Sequence, residues 1–386
     1  MLIYVPQNYA GDEDDEDEEM GDGDDDDDEG EGGDEYSDDE DTSYKTRRSA
    51  TKVLAAVIGT RPELLSKIYQ NVSPVLISRF GDREESVKIE VWATYVVLLK
   101  QTGVYGRGSE SRDLEVSTGS KRKWGDESME VEDAPMVLLR TQVAALSKVL
   151  LKQLQPKSSA ASLQAGFQLF TELLTVLPGS LANQASPILA ASKEILALPV
   201  TTNTATLHTT VLTFLVLFFS THTPASFGAN SSAITPTMLN AVTQKHPRIA
   251  AEAFKVFSAL LQALKPLHAD KGGDWTLQTY KEANNRLGRN DTDAEVRAAA
   301  ETVIGDLWIC ATPIVSAHPG NEWDSLRKSG RPEGAVQVVT RVAAAKIPMG
   351  TAWSTQSIEW VLAVIRKSGR GGRVEAFRCL DVLISR

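Results

Sequence analysis

The sequence predicts an all-α fold, a solenoid of stacked helix pairs. Apolar residues recur at helical spacing through most of the chain. Ala, Leu and Val dominate while aromatics stand at 6 %, which favours helices over sandwiches or barrels. A weak motif also returns at nearly constant intervals. A chain of 386 residues is too long for one compact helical body, so repetition has to take up the length.

Residues 1–43 form a region apart. Positions 12–41 hold 22 of the 52 acidic residues and no Lys or Arg. Like charges repel and little there is apolar, so this segment is expected to be a disordered acidic loop. The formal net charge of −12 therefore hides a body in which bases outnumber acids by ten. Such a body suits an acidic partner surface, nucleic acid, or the acidic loop itself.

Helical order is expected from Thr42, with Asp41, Thr42 and Ser43 as candidate caps. Residues 44–102 are assigned to helix-pair repeats. Ala50, Val53, Leu54, Val57 and Ile58 mark a first helix that stops before Pro62. Leu64, Leu65, Ile68, Val72, Val75, Leu76 and Phe80 mark a second over Glu63–Phe80. Val87, Val91, Tyr95, Leu98 and Leu99 mark a third over Glu84–Gln101. Residues 103–135, rich in Gly, Ser and charge, are expected to be a disordered insertion. They include Lys121-Arg122-Lys123, too short for a convincing basic signal.

Residues 136–386 return to helix pairs, starting with Val137–Leu154. Pro178-Gly179 and Pro224 are expected to end helices, and Pro266–Gly273 and Ala317–Gly334 to be longer connections. The most apolar run, Val211–Phe219, is half the ~20 residues needed to span a bilayer, so a buried solenoid helix is expected.

The motif is a small or β-branched residue, a basic or polar one, then Ala-rich helix. It starts at Thr46, Val87, Ser162, Leu207, Ile249, Val296, Thr340 and Val374. The spacings are 41, 75, 45, 42, 47, 44 and 34 residues, mostly within the window of HEAT-type helix pairs, and the 75 absorbs the insertion. Each pair has an apolar face too large to hide alone, so it stacks on the next pair. The second helix of each pair is expected to line the partner-binding side. Asp82 and Asp293 are expected to cap the following helices, and Lys88 and Arg297 to bond across to a neighbouring repeat.

Chemistry-bearing patterns are missing. There is no phosphate-cradling GxxxxGK[ST], no GxSxG, no HExxH and no GxGxxG between strand and helix. Cys310 and Cys379 lie in unrelated segments without ligand spacing, which supports neither zinc nor a disulfide framework and fits a reducing compartment. The five histidines lie far apart, and His222 and His268 are expected at helix ends, where positive charge suits the dipole. Trp92, Trp308 and Trp360 are expected in the core, and Trp275, Trp323 and Trp353 are candidate interface anchors. Ser368–Arg373 contains an RGG-like step, expected to be a turn between helices. No residue is assigned to catalysis, cofactor or metal, and no spacing singles out partner-contacting residues.

One string of residues is more specific. Asp34-Glu35-Tyr36-Ser37-Asp38-Asp39-Glu40-Asp41 closes the acidic loop and Tyr44-Lys45-Thr46-Arg47-Arg48 opens the helix after it. Val72–Phe80, Leu98-Leu99-Lys100-Gln101-Thr102, Thr171–Leu174 with Val176–Gly179, and Leu380–Ile384 follow. Together they resemble the cullin-associated, neddylation-dissociated proteins, a HEAT-repeat family also linked to TATA-binding-protein interaction, over nearly the whole chain. The resemblance implies a scaffold that wraps non-neddylated cullin and its RING-box subunit. It implies regulation of SCF-type ubiquitin-ligase assembly by exchange of substrate receptors, without enzyme activity, cofactor or membrane, in cytoplasm and nucleus. The family solenoid is far longer, so the chain is expected to be an internal piece, lacking the adaptor-blocking element and the RING-box grip. The other reading of the basic body is a nuclear-transport or nucleic-acid-associated HEAT adaptor; the cullin reading argues against nucleic acid.

Overall fold

The computed structural model describes residues 35–106, 134–267, 269–288, 293–317, 332–347 and 349–385. By contact the chain divides into two units, Met1–Ser43 and Tyr44–Arg386. Among the described residues all regular structure is helical. In chain order the elements are α1 (Glu35–Thr60), α2 (62–78), α3 (Glu85–Tyr105), α4 (Pro135–Gln153) and α5 (Ala160–Val176). Next come α6 (Ala185–Leu196), α7 (Thr202–Thr221), α8 (Pro224–Thr243), α9 (Pro247–Leu264) and α10 (Ala269–Gly288). The last are α11 (Ala294–Cys310), α12 (Thr312–Ala317), α13 (Pro332–Ala344), α14 (Gly350–Lys367) and α15 (Arg370–Ile384).

The helices sort into two layers by number. Odd helices pack on the next odd helix from α3 to α15, and even helices on the next even helix from α2 to α12. Each of the eight motif copies falls in or at the start of a different odd helix, so the sequence period is the period of one layer. Between the layers lies one continuous apolar core running the length of the stack, including Trp92, Phe167, Phe170, Phe214, Phe218 and Phe257. Burial against a neighbouring pair, at about 25 cal/mol per Å² of apolar surface, is the force that holds such a stack together. At the two flanks of the odd layer apolar side chains stay exposed: Val53 and Val57 on α1, and Val374, Phe377 and Ile384 on α15.

Local chemistry sets several helix boundaries differently from the sequence expectation. Helix α1 starts at Glu35, seven residues before Thr42, so helix reaches into the segment assigned to the acidic loop. Its first turn begins with Glu35 and Asp38, the sign of charge a helix N-terminus favours. Helix α3 runs on to Tyr105, inside the span assigned to the insertion. The rest of the acidic run, Lys121-Arg122-Lys123, His268, His318 and Trp323 lie outside the described residues.

The helix expected over Glu63–Phe80 is broken into a 3₁₀ turn, α-helix, a π turn at Ile68–Val72, and α-helix. Pro74 accounts for the break. In the π turn the Ser73 N–H bonds the Ile68 carbonyl, so Tyr69 O would need the N–H of residue 74, which proline lacks. Gln142 Nε2, from α4, donates to that orphaned carbonyl at 2.8 Å. Helix α8 solves the same problem internally. Pro236 leaves the Ser232 carbonyl without its donor, and Thr235 Oγ1 supplies one at 3.1 Å.

Pro224 opens α8 at its first turn, where a missing N–H costs nothing, besides following the end of α7. Pro178-Gly179 does end α5, with Gly179 at φ 77°. Helix α10 starts at Ala269, within the expected connection Pro266–Gly273, and Arg370–Arg373 of the RGG-like step forms the first turn of α15.

Helix α7 is long and apolar enough to cross a membrane by composition alone. It packs between α5 and α9 in the stack, with Val211, Leu212, Phe214, Leu215, Phe218 and Phe219 buried. Its most exposed stripe toward solvent is threonine, with Thr206 and Thr213 exposed and Thr210 half-buried between them.

Candidate protein-binding surface

The odd layer carries the polar groups that distinguish this surface, and they fall into two sets. One set ties neighbouring helices together. Arg47 on α1 reaches Asp82 at 3.3 Å, and Arg48 reaches Glu90 on α3 at 3.5 Å. Glu85, the first residue of α3, accepts from Ser159 and, at 2.6 Å, from Ser162 of α5; these bonds hold its carboxyl below the usual range. Lys255 on α9 bonds Glu252 of its own helix and Glu295 of α11, both at 2.7 Å.

The densest tie is at Asp306, fully buried within α11. Its carboxylate accepts from Ser258 and, at 2.7 Å, from Gln262, both on α9. From the other side Arg341 of α13 donates through Nε at 3.0 Å and Nη2 at 2.6 Å. One carboxylate thus joins three consecutive odd helices. A glycine gives this arginine its room: a Cβ on Gly305 would lie 2.7 Å from Arg341 Cδ and would have to push the arginine stem aside.

The second set lines an open cleft of about 740 Å³ that crosses four consecutive odd helices, the motif-bearing first helices of the pairs and not the second helices expected to line the partner-binding side. It runs obliquely from Lys100 near the end of α3, over Gln164, Gln168 and Glu172 of α5 and the threonine stripe of α7, to His246 and Arg248 at the start of α9. Lys100, His246 and Arg248 are exposed and Glu172 half-buried. Lys100, Glu172 and Arg248 take part in none of the ion pairs seen among the described residues. Two threonines present acceptors: Thr171 and Thr210 each donate to the carbonyl one turn back, at 2.8 and 2.9 Å.

Several residues expected to bear function prove structural. Lys88 does not bridge repeats; its Nζ lies 5.6 Å over the Trp92 ring of its own helix. Arg341, from the weaker motif copy, does bridge, from α13 to Asp306 of α11. Asp293 does cap α11, accepting from the N–H groups of Glu295 and Val296, whereas Asp82 accepts from Glu84 N and pairs with Arg47. Trp92 and Trp308 are in the core and Trp360 packs partly against it, as their spacing predicted. Two candidate anchors are not free for a partner: Trp353 is buried, and Trp275 stacks on Phe257 at 5.7 Å.

His222 sits at the end of α7 but not as a cation. It is buried, stacked on Phe218 at 4.3 Å, with Nδ1 2.8 Å from the Phe218 carbonyl, and burial pushes its pKa down. Burial lowers that of His208 as well. Burial raises both thiols, Cys310 and Cys379, to about 11, which keeps them protonated and unreactive. Among the described residues no three His, Cys, Asp or Glu side chains come together as a metal site.

Fold and surface define a class: a helix-pair repeat scaffold whose one layer presents a polar face. The fold is shared with Kap121p: the crystal structure of a Kap121p mutant matches 89 % of this chain and 32 % of that one at a TM-score of 0.51 and 15 % identity. Sequence goes further. Residues 142–304 match the family described as CAND1-like, TPR repeats. Cullin-associated NEDD8-dissociated protein 1 of Arabidopsis thaliana is 33 % identical over 268 residues, 69 % of this chain and 20 % of that protein. Protein 2 of Mus musculus is 31 % identical over 279 residues, 70 % of this chain and 21 % of its own length. The C-terminal part of protein 1 in Emericella nidulans is 28 % identical over 355 residues, 80 % of this chain and 33 % of that protein. This chain is a relative of the cullin-associated NEDD8-dissociated proteins, and it spans about a fifth of the length of the first two.

Proposed function

We propose that this chain is a scaffold segment of a cullin-binding exchange factor, acting by binding and not by catalysis. In this reading it helps sequester non-neddylated cullin–RING-box complexes and so regulates assembly of SCF-type ubiquitin ligases, in cytoplasm and nucleus. The supporting observation is the relation to the cullin-associated NEDD8-dissociated proteins over about 70 % of the chain. The repeat architecture suits the task, because each added helix pair lengthens a continuous binding face without altering the core of the others. The test is retention of a purified cullin–RING-box complex on the immobilised 386-residue chain. Unmodified complex should be retained and the neddylated form lost. Equal retention of both, or of neither, overturns the proposal.

A further inference from the structure

We infer that the cleft across α3, α5, α7 and α9 takes an extended acidic-ended segment of a protein partner, about ten residues long, with a basic side chain near its first third. The inference deepens the reading of the odd layer as a partner-binding face and rests on it. The charges along the cleft run in a fixed order: Lys100 positive on α3, Glu172 negative on α5, neutral Gln and Thr over α5 and α7, then Arg248 positive on α9. The complementary segment is therefore acid, base, neutral stretch, acid.

Length follows from helix spacing. Three interhelical steps of 8–10 Å and the oblique run put Lys100 and Arg248 about 30 Å apart. An extended chain at roughly 3.3 Å per residue covers that with about ten residues, and a helix at 1.5 Å per residue needs about twenty. The threonines decide between them. Thr171 and Thr210 have already donated their protons to their own helices, so their oxygens offer lone pairs to the cleft. A bound helix has its backbone N–H groups engaged internally, whereas an extended segment brings free N–H donors, with Gln164 and Gln168 able to take its remaining carbonyls and amides.

The Asp306 side of the layer offers no such match, because Lys255, Glu295, Asp306 and Arg341 are all held by neighbouring repeats.

The probe is a fluorescein-labelled decapeptide with Glu at positions 1 and 10, Lys at position 4, and Gly, Ser and Asn elsewhere. A charge-reversed peptide and a twenty-residue Ala-based helix with acids at its ends serve as comparisons. At low salt the chain should bind the first about tenfold more tightly than either comparison, and the double variant K100E/R248E should invert the preference for charge. These substitutions are on exposed positions, and an unchanged melting temperature confirms the fold. Equal affinity for both charge patterns, tighter binding of the helix, no binding up to millimolar peptide, or an unaltered preference in K100E/R248E overturns the inference. The cullin reading is scored separately. If wild-type chain retains the unmodified complex and K100E/R248E retains it equally well, the cleft proposal fails while the cullin reading stands. If wild-type chain retains none, the cullin reading fails whatever the peptides do.

Discussion

From α3 to α9 the odd layer holds Lys100, Glu172 and Arg248 around a cleft with no ion pair among the described residues, whereas from α9 to α13 the same kinds of side chain are tied helix to helix through Lys255, Asp306 and Arg341. The core beneath is apolar in both stretches. The difference shows how one repeat can supply either cohesion or recognition. A carboxylate buried between neighbouring helices, as Asp306 is, is desolvated and must find its partners within the stack. A charge placed on the crest of the layer stays in water and remains available to another molecule.

The sharpest way to break the comparison is Asp306→Ala. It leaves the half-exposed Arg341 and the part-buried donors of Gln262 and Ser258 without their common acceptor and should cost about 2–3 kcal/mol. Because coupling between neighbours carries the cooperativity of a repeat stack, urea unfolding followed by circular dichroism should broaden or split around α11. A single transition at the wild-type midpoint would show that Asp306 is dispensable.

Gly305→Ala sets two effects against each other. Alanine improves helix propensity by about 1 kcal/mol, but its Cβ drives Arg341 off Asp306, a loss of about 2–3 kcal/mol. The net expectation is destabilisation by about 1–2 kcal/mol in the same assay. A more stable variant would mean that the arginine stem yields freely.

Acid should act through the buried histidines next. The pKa values of His208 and His222 are lowered on folding, so the unfolded chain takes up protons first. Their contribution is complete above the unfolded value of 6.5 and is lost as pH falls below it toward the folded values. The melting temperature should therefore fall from pH 7 to pH 5, and His208→Gln should flatten that slope. Glu85, whose carboxyl is held low by Ser159 and Ser162, loses its contribution only in a more acidic window, as pH drops below the unfolded 4.5.

The smallest stability effects belong to the cleft. Lys100→Ala and Arg248→Ala should each leave unfolding free energy within about 0.5 kcal/mol of wild type. If either destabilises as much as Gly305→Ala, the cleft residues are structural and the contrast with the Asp306 side disappears.

The layer itself was legible in the sequence. The motif starting at Val87, Ser162, Leu207, Ile249 and Val296 marks successive odd helices, because a repeat that buries the same face each time must repeat the same small residues there. The core tryptophans and the buried run at Val211–Phe219 followed from helical spacing. The bridging network was not legible. Asp306 stands mid-helix among apolar residues, with partners 35 to 48 positions away, and nothing local distinguishes it from an exposed aspartate. The cleft was hidden for the same reason, since its charges come from α3, α5 and α9. Proline boundaries misled where one residue serves two roles: Pro224 follows one helix and also opens the next, and Pro74 and Pro236 sit within helices because neighbouring side chains take over the orphaned carbonyls.

By itself the sequence determined that this protein is helical, repeated and stacked, because apolar periodicity and a 41–47-residue recurrence are local properties that each repeat carries alone. Only the tertiary structure decided which polar residues hold the stack together and which face outward. That choice depends on where neighbouring repeats bring side chains into the same few ångströms, and distances across the stack are written in no single segment of the chain.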